Sequence, residues 1–206
     1  MFIPERFVEE QVQDLQKKLG AGKAVIAVTG GVDTTLAAVL THRAIGEQMV
    51  AVVIADGLMR GEEVARINGF LETSAMQVRT VDATQEFDDA LSGVTERDEQ
   101  RRAYQNAFYS VLGRVVREEK AEYLVQGTTA ADVVRTEDGI ELLDDIFEEI
   151  RLIDSRRDGL TIVEPLRKLN KHEVIKLARS LDLPPEFVDR QSFPVVLDTL
   201  RKSLVK

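Results

Sequence analysis

The sequence predicts an α/β fold, a single domain over residues 1–206 with an open, mainly parallel, twisted sheet flanked by helices. Three observations carry this expectation. Short, wholly apolar runs rich in β-branched residues, at 24–28 and 49–54, have the length and composition of strands buried on both faces. Stretches with apolar residues at helical spacing lie between such runs. A chain of 206 residues, 44% hydrophobic and 31% charged, suits one globular domain with a substantial core rather than a disordered or membrane-spanning chain.

The elements follow in order. Phe7, Val8, Val12, Leu15 and Leu19 recur at near-helical spacing among acidic and amide residues, which predicts a first helix ended by Gly20 and Gly22. The apolar run 24–28 is the first strand. Thr29-Gly30-Gly31-Val32-Asp33-Thr34-Thr35 follows, then a helix over 36–45 closed by Gly46. A second strand is expected over 49–54, a helix over 62–71 and a third strand over 77–81. Helices over 84–91 and 97–118 lead to a fourth strand at 123–127. A fifth strand at 160–163 and a helix over 171–181, stopped by Pro184-Pro185, complete the pattern. Residues 128–159 mix small and acidic residues with a Ser155-Arg156-Arg157-Asp158 turn and read as a mobile lid or insertion.

Composition excludes several classes of function. There are 27 Lys and Arg against 36 Asp and Glu, and the net charge of −9 is opposite in sign to that of a nucleic-acid-coating surface. The absence of cysteine removes disulfides, thiolate zinc sites and any cysteine nucleophile or persulfide carrier. No apolar run nears the ~18 residues of a membrane span. Residues 1–10 carry Glu5, Arg6, Glu9 and Glu10 where a signal peptide would be apolar. A cytoplasmic protein that binds neither nucleic acid nor membrane is expected.

Parallel sheets bind ligands beyond the carboxyl ends of their strands, so the residues after Val28, Ile54 and Gly127 are where chemistry is sought. Gly30-Gly31 lets the backbone turn tightly and approach a ligand. The helix start behind it contributes N–H groups and a partial positive charge, and Thr29, Thr34 and Thr35 offer hydroxyls. This is a phosphate cradle without a lysine. It matches neither Gly-x4-Gly-Lys-Ser/Thr nor Gly-x-Gly-x-x-Gly. Asp33, an anion among phosphate-binding groups, is reconciled by a Mg2+ between carboxylate and phosphates. Taken alone, the segment reads equally as a tight β–α turn with Asp33 or Thr34 as helix N-cap.

Beyond these residues the chain resembles a known family. Thr29-Gly30-Gly31-Val32-Asp33-Thr34-Thr35 is similar to the Ser-Gly-Gly-x-Asp-Ser loop of the N-type ATP pyrophosphatases, which split ATP between the α and β phosphates and adenylate a substrate oxygen. Further stretches resemble, in order, the ATP pyrophosphatase domain of GMP synthetase: Phe2-Ile3-Pro4-Glu5-Arg6-Phe7, His42-Arg43-Ala44-Ile45-Gly46, Gly57-Leu58-Met59-Arg60-Gly61-Glu62, Val125-Gln126-Gly127-Thr128 with Asp132-Val133-Val134, Val163-Glu164-Pro165-Leu166-Arg167-Lys168-Leu169 with His172-Glu173-Val174, and Arg190-Gln191-Ser192-Phe193-Pro194. The resemblance implies an adenine nucleotide alpha hydrolase-like fold, ATP and Mg2+ as ligands, and an ATP-dependent ligase that forms C–N bonds in purine biosynthesis.

The departures are equally specific. Both family serines are threonines here, Thr29 and Thr34. The family aspartate after the second strand is Ala55, with Asp56 one residue later, and Arg60 runs straight into Gly61 without the family's lysine. Leu142-Leu143-Asp144-Asp145-Ile146-Phe147-Glu148-Glu149-Ile150 stands where Ser-His-His-Asn-Val-Gly-Gly is expected, and Val195-Val196-Leu197-Asp198-Thr199 where Pro-Gly-Pro-Gly-Leu is. With Lys206 as the last residue, neither the family's C-terminal domain, which dimerises and binds XMP, nor its glutaminase domain is expected.

On this resemblance Asp33 and Asp132 are the candidate metal ligands, and Asp33, Asp132 and Arg60 the candidate catalytic residues. The nucleotide would lie against Thr29, Gly30, Gly31, Val32, Asp33, Thr34, Thr35, Ile54, Gly57, Gly127 and Thr128. Asp132 also reads as a surface aspartate and Arg60 as a solvated helix-start residue. Arg156, Arg157 and Lys168 are further cations, and His42 and His172 read as ordinary helix residues. Expected partners are a small-molecule acceptor, a separate glutaminase subunit and a second copy of the chain, through a tail with Phe193, Val195, Val196, Leu197, Leu200 and Leu204. Two alternatives stand beside the enzyme: a catalytically degenerate nucleotide-binding or regulatory paralogue, and a sulfur-transfer relative acting with a partner.

Overall fold

Strands β1 (Ala24–Ala27), β2 (Met49–Ala55), β3 (Gln77–Asp82), β4 (Tyr123–Val125) and β5 (Thr161–Val163) pair in parallel in the order β3-β2-β1-β4-β5. A computed structural model describes residues 2–132 and 160–189 of the chain. The expected lid beyond Asp132, with Arg156 and Arg157, and the apolar tail therefore lie outside the described residues.

The helices are α1 (Pro4–Leu19), α2 (Val32–Ile45), α3 (Gly61–Thr73), α4 (Thr84–Leu91), α5 (Arg97–Glu119), α6 (Lys171–Ser180) and the single turn α7 (Pro185–Val188). The sheet sorts its side chains by the period of two that pleating imposes. Ala24 and Ile26 of β1, with Met49, Ala51 and Val53 of β2, face a layer built from α1, α2, α3, α6 and α7. Val25, with Val50, Val52 and Ile54, faces α4 and α5. Both faces are thus dry, which is why β1 and β2 read as unbroken apolar runs. Phe87 of α4 and Leu36 and Leu40 of α2 are fully buried, each stabilising by about 1.5–3 kcal/mol relative to exposure.

The expected strands and helices are present, with ends that move by a few residues. The largest shift is at α2. The sequence starts this helix at Leu36, because a Val-Asp-Thr-Thr run is a poor helix former. The helix instead begins at Val32 with Gly31 as N-cap, so neither Asp33 nor Thr34 is the cap. Pro184-Pro185 ends α6 as expected, yet Pro185 also opens α7, because proline suits a first helical turn.

The chain runs from β1 outward through β2 to β3, then returns to place β4 on the other side of β1. The sheet order reverses between β1 and β4. Their carboxyl ends frame the crevice where such sheets hold ligands.

Candidate nucleotide site

The loop leaving β1 is shaped by its backbone. Gly30 adopts φ +76°, a conformation that a side chain would strain. Gly31 caps α2 in an extended conformation (φ −76°, ψ 152°) and offers no side chain to the helix N–H groups. An uncapped helix start at the carboxyl edge of a strand is suited to an anion.

The threonines play unequal parts. The Thr29 and Thr34 hydroxyls face each other at 3.3 Å, and Thr34 Oγ1 also lies 3.3 Å from the Thr29 N–H and the Gly31 carbonyl. Thr35 is fully buried, and its hydroxyl donates to the Gly31 carbonyl at 2.8 Å. Val32 is buried in the core. Neither side chain lines the loop surface.

The opposite wall is the segment after β4. A Cβ on Gly127 would lie 2.8 Å from the Asp33 carbonyl carbon and 2.9 Å from the Thr34 nitrogen. The two loops therefore touch backbone to backbone, and Gly127 is required by that approach. The next residues are held by hydrogen bonds. The Gln126 N–H donates to the Val163 carbonyl, and the Ala130 N–H to the Leu169 carbonyl, both at 2.9 Å. Thr128 is buried beside Thr129. Asp132 accepts from the Thr129 N–H at 2.9 Å and from its hydroxyl at 2.7 Å, so one carboxylate oxygen closes a local turn.

The residue that completes this constellation is Lys171. Its ammonium lies 2.8 and 2.7 Å from the two carboxylate oxygens of Asp33. Asn170 and Glu173 form a reciprocal capping box, each side chain bonding the other's N–H at 3.0 Å, and so fix the start of α6 with Lys171 as its first residue. A lysine at a helix N-terminus is disfavoured by the helix dipole. Asp33 offsets that penalty. The cation that meets Asp33 is thus Lys171 and not the exposed Lys168. The available signal was a cation in the first turn of a capped helix, where an acid is usual.

The third wall follows β2. Ile54 is buried against α4 and α5. Asp56, also buried, accepts from the N–H groups of Leu58 and Met59 at 2.9 and 2.7 Å and from the Tyr104 hydroxyl at 2.6 Å. Burial, and then the Asp56 charge, pushes the Tyr104 phenol well above its ordinary range. Gly57 packs on Thr84. Arg60 precedes α3, its N–H bonded to Glu63 at 3.2 Å. His42 is a helix residue with a buried, unbonded Nδ1, and Lys168 is exposed.

Among the described residues no three acidic or histidine side chains gather as a metal cage. The donor set nonetheless fits Mg2+ carried by phosphates, since that ion commonly takes one or two carboxylates and completes its shell with phosphate oxygens and water. Asp33 is one such carboxylate, partly exposed, in the first turn of α2.

Comparisons with known proteins show the family and the fold. Residues 5–144 match the model of the NAD synthase family. The chain is 45% identical over 195 residues to a component of the glutamine-hydrolyzing GMP synthase of Methanopyrus kandleri, covering 94% of this chain and 60% of that protein. It is 37% identical over 194 residues to the GMP synthase component of the same name from Saccharolobus solfataricus, covering 94% and 53%. The chain thus spans between about half and three-fifths of the curated relatives it matches. Among solved structures, NMN synthetase from Francisella tularensis superposes with a TM-score of 0.71 at 19% identity, over 96% of this chain and 78% of that one. The NH3-dependent NAD synthetase of Campylobacter jejuni gives 0.69 at 15% identity, over 100% and 86%. These two share the fold.

Proposed function

We propose that this chain, which belongs to the NAD synthase family of N-type ATP pyrophosphatases, binds Mg-ATP in the crevice between β1 and β4 and adenylates an oxygen of a small acceptor. The observation that carries the reading is the uncapped start of α2, set against Gly127 and flanked by the Asp33–Lys171 pair at the point where the strand order reverses.

The chemistry asks the protein mainly for positioning and charge neutralisation. The N–H groups at the start of α2 and the Thr29 and Thr34 hydroxyls would hold phosphate oxygens. Asp33 would hold the Mg2+, which neutralises phosphate charge when bound. With Asp33 so engaged, the Lys171 ammonium turns to the phosphates. Arg60, at the start of α3, is the second cation for the departing pyrophosphate. The base would lie against the turn after β2, at Ile54 and Gly57. The acceptor oxygen attacks the α-phosphorus, pyrophosphate leaves, and ammonia then displaces AMP.

Similarity to the GMP synthase components makes XMP the first acceptor to test and a separate glutaminase the first partner, giving a C–N ligase. The test is a calorimetric titration with Mg-ATP, then detection of AMP and pyrophosphate on adding XMP and ammonium. Saturable binding with both products is expected. A chain that does not bind Mg-ATP overturns the reading.

A further inference from the structure

We propose that Tyr104 is a positioning residue for the nucleoside half of the ligand and acts through Asp56, an inference that rests on the nucleotide reading above. Asp56 is 3% exposed, and among the described residues no basic side chain pairs with it. A buried carboxylate without a cation is costly unless its oxygens are fully hydrogen-bonded. Three donors meet that need: the Leu58 and Met59 N–H groups on Oδ1, and the Tyr104 hydroxyl on Oδ2.

The donors have different tasks. The Oδ1 contacts are local, two and three residues on, and fold the segment 56–59 into a turn. Leu58 of this turn packs on the α4–α5 side of the sheet and Met59 on the other. The turn therefore sits astride the carboxyl edge of β2, one residue before Arg60. Nothing within the turn holds Oδ2. The Tyr104 hydroxyl, 48 residues away on α5, does so at 2.6 Å and fixes the plane of the carboxylate. Packing needs only the ring, which lies 4.8 Å from that of Phe87 and would be served equally by phenylalanine. The hydroxyl aims the turn, with its apolar residues Leu58 and Met59, at a flat heterocyclic base.

The test compares Tyr104→Phe with the unaltered chain for AMP, inorganic pyrophosphate and Mg-ATP. AMP and Mg-ATP affinities are expected to fall about tenfold, the scale of one lost hydrogen bond to a charged group, with pyrophosphate affinity within about twofold. Asp56→Ala, which removes the acceptor of the tyrosine hydroxyl, is expected to weaken AMP at least as much as Tyr104→Phe, and the double variant no more than Asp56→Ala alone; additive losses overturn the proposal. AMP and pyrophosphate weakening together, as a general loss of structure would give, overturns the proposal, as does unchanged AMP binding. If Tyr104→Phe fails to fold, amide exchange in the unaltered protein decides. AMP, but not pyrophosphate, slows exchange at Leu58 and Met59, and amides that ignore AMP overturn the proposal. An unaltered chain that binds no Mg-ATP sinks the nucleotide reading and this inference together, whereas normal binding with an indifferent Tyr104→Phe sinks this inference alone.

Discussion

The Lys171 ammonium bridges both carboxylate oxygens of Asp33 at 2.8 and 2.7 Å, joining the loop after β1 to the first residue of α6. The pair is partly solvated, with side-chain exposures of 40% and 26%, so its worth to stability is about 0.2–1 kcal/mol. Under the proposed function the pair matters more to the nucleotide than to the fold. Lys171→Met and Asp33→Asn are expected to shift the denaturation midpoint little and to weaken Mg-ATP binding at least tenfold. Paired urea unfolding and calorimetry check this. A large stability loss with intact binding would make the pair structural.

Gly127→Ala is expected to damage both folding and binding. The new methyl would meet backbone atoms of Asp33 and Thr34 at 2.8–2.9 Å, and backbone cannot swing aside as a side-chain tip can. Overpacking of this kind costs about 1–3 kcal/mol, and relief of the clash moves the two loops apart. Urea unfolding should show the loss, and Mg-ATP affinity should fall with it.

Tyr104 gives stability an alkaline limit. Its folded-state pKa is raised by burial and by the Asp56 charge, whereas in the unfolded chain it ionises near ~10. Its contribution is complete below that value and is lost as pH rises above it, because only the unfolded state releases the proton. Tyrosinate absorbance in the native protein should lack the Tyr104 signal until the fold collapses, and Tyr104→Phe should flatten the alkaline slope of stability.

Glu119 gives an acid limit. Hydrogen bonds from Lys23 and then Arg79 hold its carboxyl below the usual range. That stabilisation is present above the unfolded value of ~4.3 and is lost as pH falls through the lower folded value. Arg79 also pairs with Glu118, so β3, α5 and the start of β1 share one network. Glu119→Gln is expected to cost about 1 kcal/mol near neutrality. The deficit should shrink with salt and vanish in acid.

The legible and illegible parts of this molecule divide by distance along the chain. Strands β1 and β2 are legible because burial on both faces leaves an unbroken apolar run, and the tight turn between β1 and α2 because Gly30 and Gly31 are adjacent. The start of α2 is not legible locally, because propensity at Asp33, Thr34 and Thr35 is overruled by the Gly31 cap and by burial of Val32 and Thr35. Lys171 lies 138 residues from Asp33 and Tyr104 lies 48 from Asp56, so both partnerships are created by topology. The bond from the Thr129 hydroxyl to Asp132 is visible only in the folded turn.

The pairing of β1 with β4 also governs when the protein becomes competent. Ala24 registers with Tyr123, and the cradle is finished only when Lys171 reaches Asp33. Such remote closures incur their entropic cost before any contact repays it, which slows assembly. A growing chain that has emerged only through β3 holds the glycine loop yet lacks both Gly127 and the lysine. On the proposed function nucleotide capture is then among the last events of maturation, and adding nucleotide during refolding should raise the yield of finished molecules without hastening the early steps.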